Sequence, residues 1–301
     1  MNDFRVGYMY SFAPIHCGGE GDLGNILEII RETHTNYPYI PGSSLRGTLR
    51  DTVVNGDPDG ELIANRLFGK ELDSSGQMGV HQVWFGDARL LWVPMRTMAM
   101  NGNGGGDAFT WVSCHSLIRD HALLHRRSAP VFRERPVGVR QGNYLVADAR
   151  LDVTKITDEE LDATKLEGDW ANVLQGDVKT TWERNRIVLP DGDFEVLMEH
   201  ALWTQIRNKL QPEGAAEVFW TDVCIPRDTI LYFPWGYKVA KKTPITNDDH
   251  TVLLDTIQGL FQVGGQANVG RGWVQGWVTH SQSPIANQSS QSVLENAVVG
   301  R

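Results

Sequence analysis

The sequence predicts an α+β fold, and three observations carry that prediction. Residues 4–12 alternate, with Phe4, Val6, Tyr8, Tyr10 and Phe12 on one face and Arg5, Gly7, Met9 and Ser11 on the other, the period-two pattern of a half-buried strand. Two stretches carry apolar residues at helical spacing: Leu45, Leu49 and Val53 early, and Leu253, Ile257, Leu260 and Phe261 late. Strands and helices follow one another without the regular βαβ alternation of a parallel sheet. At 301 residues, 41% hydrophobic and 22% charged, the chain is neither disordered nor fibrous and can bury a full core. Its length allows one large domain or two ordinary ones. No apolar run approaches the ~18 residues of a membrane span, and the start (Asn2, Asp3, Arg5) lacks the regions of a signal peptide.

The remaining elements follow in order. Pro14 ends the first strand, and a glycine-rich loop, residues 17–24, comes next. Pro41-Gly42 makes a turn, after which Ser43 or Ser44 caps a helix carrying Leu45, Leu49 and Val53. A breaker cluster at 55–60 separates it from a short second helix with Leu62, Ile63 and Leu67. Residues 80–93 read as a strand pair or one long strand, 101–107 as a flexible loop and 115–124 as a helix. The stretch 151–199 has poor periodicity and reads as an insertion rather than core. A late helix over 249–261 runs into Gly264-Gly265-Gln266-Ala267-Asn268-Val269-Gly270-Arg271-Gly272, then a strand over 273–279. Residues 280–301, rich in Ser, Gln and Asn, read as a mobile tail. Cys17, Cys114 and Cys224 are odd in number and far apart, which suits a reduced, cytoplasmic setting and neither a disulfide framework nor a zinc knuckle.

A net charge of −9 argues, at face value, against a nucleic-acid partner. Its distribution argues otherwise. Residues 151–199 hold thirteen acidic and five basic side chains, a net of −8, whereas 119–150 hold seven basic and three acidic, a net of +4. The rest is near neutral, so the chain can hold a polyanion locally.

Three motifs carry possible chemistry. Gly19-Glu20-Gly21-Asp22-Leu23-Gly24 matches the glycine spacing of a dinucleotide site, but residues 14–17 separate it from its strand and no crossover helix or ribose-binding acid follows. These glycines equally suit a sharp surface loop. Ser43-Ser44-Leu45-Arg46-Gly47 offers hydroxyls, free amides and a guanidinium at a helix start, an anion pocket or an ordinary cap. The run 264–272, with Arg271, lets a backbone approach a ligand or makes a tight helix-to-strand connection. Without Gly-Lys-Ser/Thr it is not the phosphate loop of an NTPase.

Together these pieces resemble the RAMP-superfamily CRISPR–Cas proteins, in particular the repeated backbone subunit of type III-B (Cmr) effector complexes. The resemblance rests on Pro14-Ile15-His16 and the glycine loop, Arg31-Glu32-Thr33-His34-Thr35, Tyr37 through Gly47 and Leu49-Arg50. Phe68-Gly69, Gly86 through Leu91, Val93 through Thr97, Thr110 through Ser113, Asp193-Phe194, Trp220-Thr221-Asp222 with Ile225-Pro226, and the run 264–272 keep the order, so that most of residues 6–279 is covered.

The resemblance implies a ferredoxin-like (RRM-like) palm as a single domain over 1–279, with insertions at about 101–107 and about 126–190, the latter holding a β-hairpin thumb. It implies partners: CRISPR RNA, target RNA, further copies of the chain and other type III Cas subunits, with no membrane. His16, Ser43, Ser44, Arg46, Arg50, Gly264, Gly265, Gly270 and Arg271 become RNA-binding candidates by family position. Arg126 and Arg127, with Arg133, Arg135 and Arg140, are RNA contacts or a subunit interface. Asp222 orients the palm loops, and Trp182 and Arg184 lie in a segment, 179–188, that suits part of a hairpin. In active members an aspartate supports metal-dependent cleavage of target RNA. Its position is Ile26 here, so the expected protein is a scaffold with cleavage lost. The alternative is an active endoribonuclease using Asp22 or Glu28 with Mg or Mn, unless Glu28 merely pairs with Arg31. A repeat-processing endoribonuclease and a dinucleotide-binding enzyme are more remote readings.

Overall fold

The computed structural model describes residues 4–23, 26–70, 81–100, 108–210, 216–238 and 245–279. The loop expected at 101–107 and the tail expected at 280–301 lie outside them.

The first strand, β1 (Arg5–Ser11), is the centre of the molecule. It leads to a pair, β2 (Gly18–Leu23) and β3 (Ile26–Ile29), and through β4 (Tyr39–Ile40) to helices α1 (Gly42–Gly56) and α2 (Gly60–Phe68). Strands β5 (Val83–Phe85), β6 (Ala88–Ala99) and β7 (Phe109–Cys114) precede α3 (His115–Leu124). Next come β8 (Val137–Gly138), β9 (Gly142–Val146), β10 (Ala149–Lys155), α4 (Asp158–Ala163), α5 (Trp170–Val173) and α6 (Gly176–Arg184). Then β11 (Arg186–Leu189), α7 (Asp191–Ala201), the hairpin β12 (Trp203–Leu210) and β13 (Ala216–Cys224), and β14 (Ile230–Tyr237). The chain closes with α8 (Asn247–Gln258), β15 (Leu260–Gln262), a 3-10 turn at Ala267–Val269 and β16 (Trp273–Val278). The fold is α+β, as expected.

In the large sheet the order β15-β16-β1-β14-β6 is antiparallel throughout, with α1 between β1 and β6 in sequence and α8 between β14 and β16. The long β6 then changes partners. Its second half pairs with β7 and also with β9, so β6-β7-β11-β8-β10-β9 returns to β6 and closes like a barrel. A smaller sheet, β12-β13-β3-β2, stands apart.

Several expectations need correction. β1 is buried on both faces, not one: α1, α2 and α8 cover Met9, while segment 156–182 covers Val6, Tyr8 and Tyr10. Gly7 fits there because a Cβ would strike the Phe233 ring. Arg5 is buried with its guanidinium 5.3 Å from both the Trp235 and Tyr237 rings, a cation–π seat. The acidic stretch is partly core. β11 lies fully buried between β7 and β8, and Phe194 and Met198 of α7 reach the main core. Much of its acidity sits at helix starts (Asp158, Glu159 and Glu160 on α4, Asp177 on α6, Asp191 and Asp193 on α7), where the helix dipole favours carboxylates. Segment 179–188 is helix then strand rather than hairpin. Trp182 is a core residue, edge-on to Trp92 and Trp111 at centroid distances of 5.3 and 5.5 Å. The hairpin inside 126–190 is β9–β10, and it belongs to the closed sheet; β12–β13 is a hairpin outside the large sheet, paired through β3 with β2. The late helix ends at Gln258 because Leu260–Gln262 pairs with β16.

Candidate nucleic-acid interface

The predicted RNA-binding residues do not converge. They divide between the two ends of β1, whose seven residues span about 20 Å at ~3.3 Å per residue.

After the C-terminal end of β1 the chain turns through Pro14 to His16, which pairs with Gly265 across an isolated bridge. The Gly265 amide donates to the His16 carbonyl at 2.7 Å, and His16 Nδ1 donates to the Val223 carbonyl at 2.9 Å. His16 therefore joins the glycine run, held by its backbone, to β13, held by its imidazole. Gly264 has φ +83, and a Cβ there would run into the His16 carbonyl oxygen, so its glycine is an internal packing requirement. Gly270, at φ +80, has open space where a Cβ would stand.

Arg271 is only 5% exposed and belongs to the interior. Its Nη2 donates to Asp222 Oδ2 at 2.9 Å and to Gln205 Oε1 at 2.9 Å, and its Nη1 lies against Cys224 Sγ. Asp222, fully buried, also accepts from Arg207 Nη1 at 3.3 Å and from Gln266 Nε2 at 3.1 Å. Asp222 thus fastens the glycine run to the β12–β13 hairpin, as its expected orienting role requires. Arg207, which sequence reading missed, is the more open guanidinium. Alternation along β12 was the available signal, since Trp203, Gln205 and Arg207 share a face.

At the other end, α1 begins with Pro41 at its cap and no side-chain capping bond. Ser43 and Ser44 lie inside the first turn instead. The Gly42 amide donates to Asp87 Oδ1 at 2.8 Å, so the positive helix end already holds a carboxylate of this chain. Arg46 Nη2 donates to the Phe68 carbonyl at the end of α2, and Arg50 Nη2 to Asn65 Oδ1 at 3.1 Å. Burial, then Arg50, lowers the proton affinity of Arg46. Lys238 Nζ donates to His81 Nε2, and burial with the charges of Lys238 and Arg46 lowers the His81 pKa. Arg46, Arg50, His81 and Lys238 make a positive patch.

The arginine-rich stretch holds neither site. Arg127 pairs with Glu167 at 2.9 Å, and Arg126, exposed, follows α3 with φ 55.

The candidate catalytic positions lie on and after the β2–β3 pair. Ile26, on β3, is 37% exposed and apolar. Arg31 is bidentate to Glu199 at 2.6 and 3.1 Å, so the Glu28–Arg31 pair is replaced. Asp22 pairs through its backbone with Leu27, and its side chain lies outside the description. Among the described residues no three His, Cys, Asp or Glu side chains gather where they could hold an ion. The glycine-spaced motif forms β2 of a strand pair, leaving no helix N-terminus to cradle a pyrophosphate. Cys17, Cys114 and Cys224 are free and buried. No described helix is long and apolar enough to cross a membrane.

Residues 12–275 match the RAMP superfamily. The chain is 26% identical over 306 residues to the CRISPR system Cmr endoribonuclease Cmr4 of Pyrococcus furiosus, covering 91% of this chain and 95% of that protein. Its fold is similar to a chain of the type III-B Cmr-beta complex bound to cognate target RNA (TM-score 0.72, 14% identity, 92% of this chain and 97% of that one). It is likewise similar to crystalline Pyrococcus furiosus Cmr4 (Cas7), with TM-score 0.62, 20% identity, and 91% and 98% covered. The chain belongs to the RAMP superfamily.

Proposed function

From that membership we propose that the chain is a backbone subunit of a type III-B CRISPR effector complex. It binds CRISPR RNA, stacks as repeated copies along guide and target RNA, and meets other Cas subunits of the complex, in the cytoplasm. The observation that carries this reading is the likeness to the Cmr4 relative across 91% of this chain. Residues 1–279 act as one domain. The order β16-β1-β14-β6, with α1 and α8 as the connecting helices, supports a ferredoxin-like palm. The β12–β13 hairpin, free of the large sheet, supports a thumb there rather than within 126–190.

Target cleavage is lost in this reading, because Ile26 stands where active members of the family carry aspartate. The positive patch of Arg46, Arg50, His81 and Lys238 holds guide phosphates, with Ser43 and Ser44 beside it, while His16, Gly264, Gly265 and Arg271 shape the opposite loop. Gly270 stays open to the RNA, and Arg126 and Arg127 mark a subunit contact.

The test is the assembled complex with labelled target RNA and Mg or Mn. Bound but uncut target is expected. Products at regular spacing that disappear in Asp22→Ala or Glu28→Ala would establish the active endoribonuclease instead. A purified chain that neither retains RNA nor joins other Cas subunits at low salt would remove the reading altogether.

A further inference from the structure

We infer that the pocket between the end of α3 and strands β6 and β14 binds a primary alkylammonium group, of the kind carried by lysine side chains and polyamines. The inference lies outside the RNA-binding reading and does not depend on it. The pocket has a volume of ≈ 420 Å³, room for a small ligand. It is lined by Tyr232, by the charged Asp87, Arg89 and Asp120, and by the apolar Leu123 and Leu124.

One group in this pocket is left unused by the chain. Tyr232 is 1% exposed, and its hydroxyl makes no hydrogen bond among the described residues. A buried polar atom without a partner costs about 1–3 kcal/mol, so such a hydroxyl in a pocket wall marks a place for a ligand atom. Burial raises the Tyr232 pKa more than the neighbouring Arg89 lowers it, so the phenol stays neutral and its oxygen can accept. His121 stands edge-on to the Tyr232 ring at a centroid distance of 5.3 Å. It adds no charge there near neutral pH, because burial, then His125, pushes its pKa down to about 3.

Charge gives the ligand its sign. Arg89 pairs with Glu32 at 3.0 Å and with Asp120 at 3.5 Å, and Arg119 pairs with Asp120 at 2.7 Å. Among the described residues Asp87 pairs with no cationic side chain, and its Oδ1 accepts the Gly42 amide at 2.8 Å. Glu32 also lies 4.0 Å from His34, which carries charge only when protonated. Three carboxylates thus face two guanidiniums, an excess of one negative charge that an anion would worsen and a cation relieves. An ammonium brings three donors and no acceptor, and Asp87, Asp120 and Tyr232 offer oxygens from three separate elements. A compact ammonium suits that spread of acceptors better than the planar fork of a guanidinium, which matches one carboxylate.

The apolar side accounts for the alkyl stem. Leu123 is 62% exposed, although Leu117 and Ile118 of the same helix are buried. A leucine open beside a charged pocket can cover the methylenes of a chain whose charged head lies deeper.

The experiment titrates the full chain, labelled at its leucine methyls, with n-pentylammonium chloride, and in parallel with sodium chloride at the same ionic strength. Saturable shifts of the Leu123 and Leu124 methyls are expected with the amine and not with the salt. Tyr232→Phe, which removes one hydroxyl, is expected to weaken binding about tenfold, and Asp87→Asn by a similar factor. Unfolding midpoints of both variants separate lost contact from lost folding. Spermidine and Nα-acetyl-lysine methylamide then identify the source. Tighter binding of the first points to a free polyamine and of the second to a lysine on a partner protein, and either ranking sustains the site. Methyl shifts that are absent at millimolar amine, or reproduced by sodium chloride, overturn the inference, as does unchanged binding by a folded Tyr232→Phe. RNA binding is expected to be the same in wild type and Tyr232→Phe, so failure here leaves that reading standing.

Discussion

At the glycine-run end of β1, Arg271 is held by the buried carboxylate of Asp222, whereas at the α1–α2 end Arg46 is held by the Phe68 carbonyl and neighbours other cations. A guanidinium matched by a buried carboxylate is architecture: removing either partner strands the other charge in the interior. One matched by a neutral carbonyl keeps its whole charge for a ligand. The same residue type, chosen at both ends for the same family reason, therefore does two jobs.

The largest expected effect tests the buried end. Asp222→Ala leaves two guanidiniums around an empty site, and breaking a buried pair costs about 3–5 kcal/mol. Urea unfolding is expected to register that loss, against about 1 kcal/mol for Arg46→Ala, which removes one hydrogen bond. Equal losses would erase the distinction between the ends. Backbone packing sharpens it. Gly264→Ala must hold φ +83 against the His16 carbonyl and is expected to cost about 2–3 kcal/mol. Gly47→Ala, inside α1 with nothing near its added methyl, is expected to stabilise by about 0.5–1 kcal/mol. Thermal midpoints moving in the same direction would contradict one of the two assignments.

Acid separates the ends again. His81, its pKa lowered by burial, Lys238 and Arg46, gains its proton more readily when a phosphate arrives, so RNA binding at that end tightens as pH falls. A gain of roughly fivefold between about pH 7.5 and 5.5 is expected, absent in His81→Ala. Stability moves the opposite way. His121, within hydrogen-bonding reach of the Tyr8 hydroxyl at 2.7 Å and buried, has its pKa pushed down to about 3 by burial and by His125. The unfolded chain binds that proton below about pH 6.5 and the folded one does not, so stability is lost as pH falls, by about 2 kcal/mol near pH 5. Chemical denaturation at the two pH values checks the sign. The smallest effect is at Arg126, exposed beyond α3, where Ala is expected to shift stability by less than about 0.5 kcal/mol.

Helical spacing marked Leu45, Leu49 and Val53, and all three are buried on α1. Residues 115–124 formed their helix at the expected bounds. Alternation placed β1 but not its burial, because the second cover comes from residues 156–182, too short and irregular in their helices to declare a core face. Trp182 suited a hairpin in the sequence, but the fold closes Trp92 and Trp111 around it.

The sequence by itself determined the α+β class and the family, since both depend on order and spacing that local chemistry records. It also identified Arg46, Arg50 and Arg271, though not Arg207, as arginines worth watching. Which of them can meet a phosphate was decided only by tertiary structure. Asp222 lies 49 residues from Arg271, and Asp87 lies 45 from the Gly42 amide it caps. A charge is free or neutralised according to what the fold carries to within a few ångströms of it, and no local pattern encodes that distance.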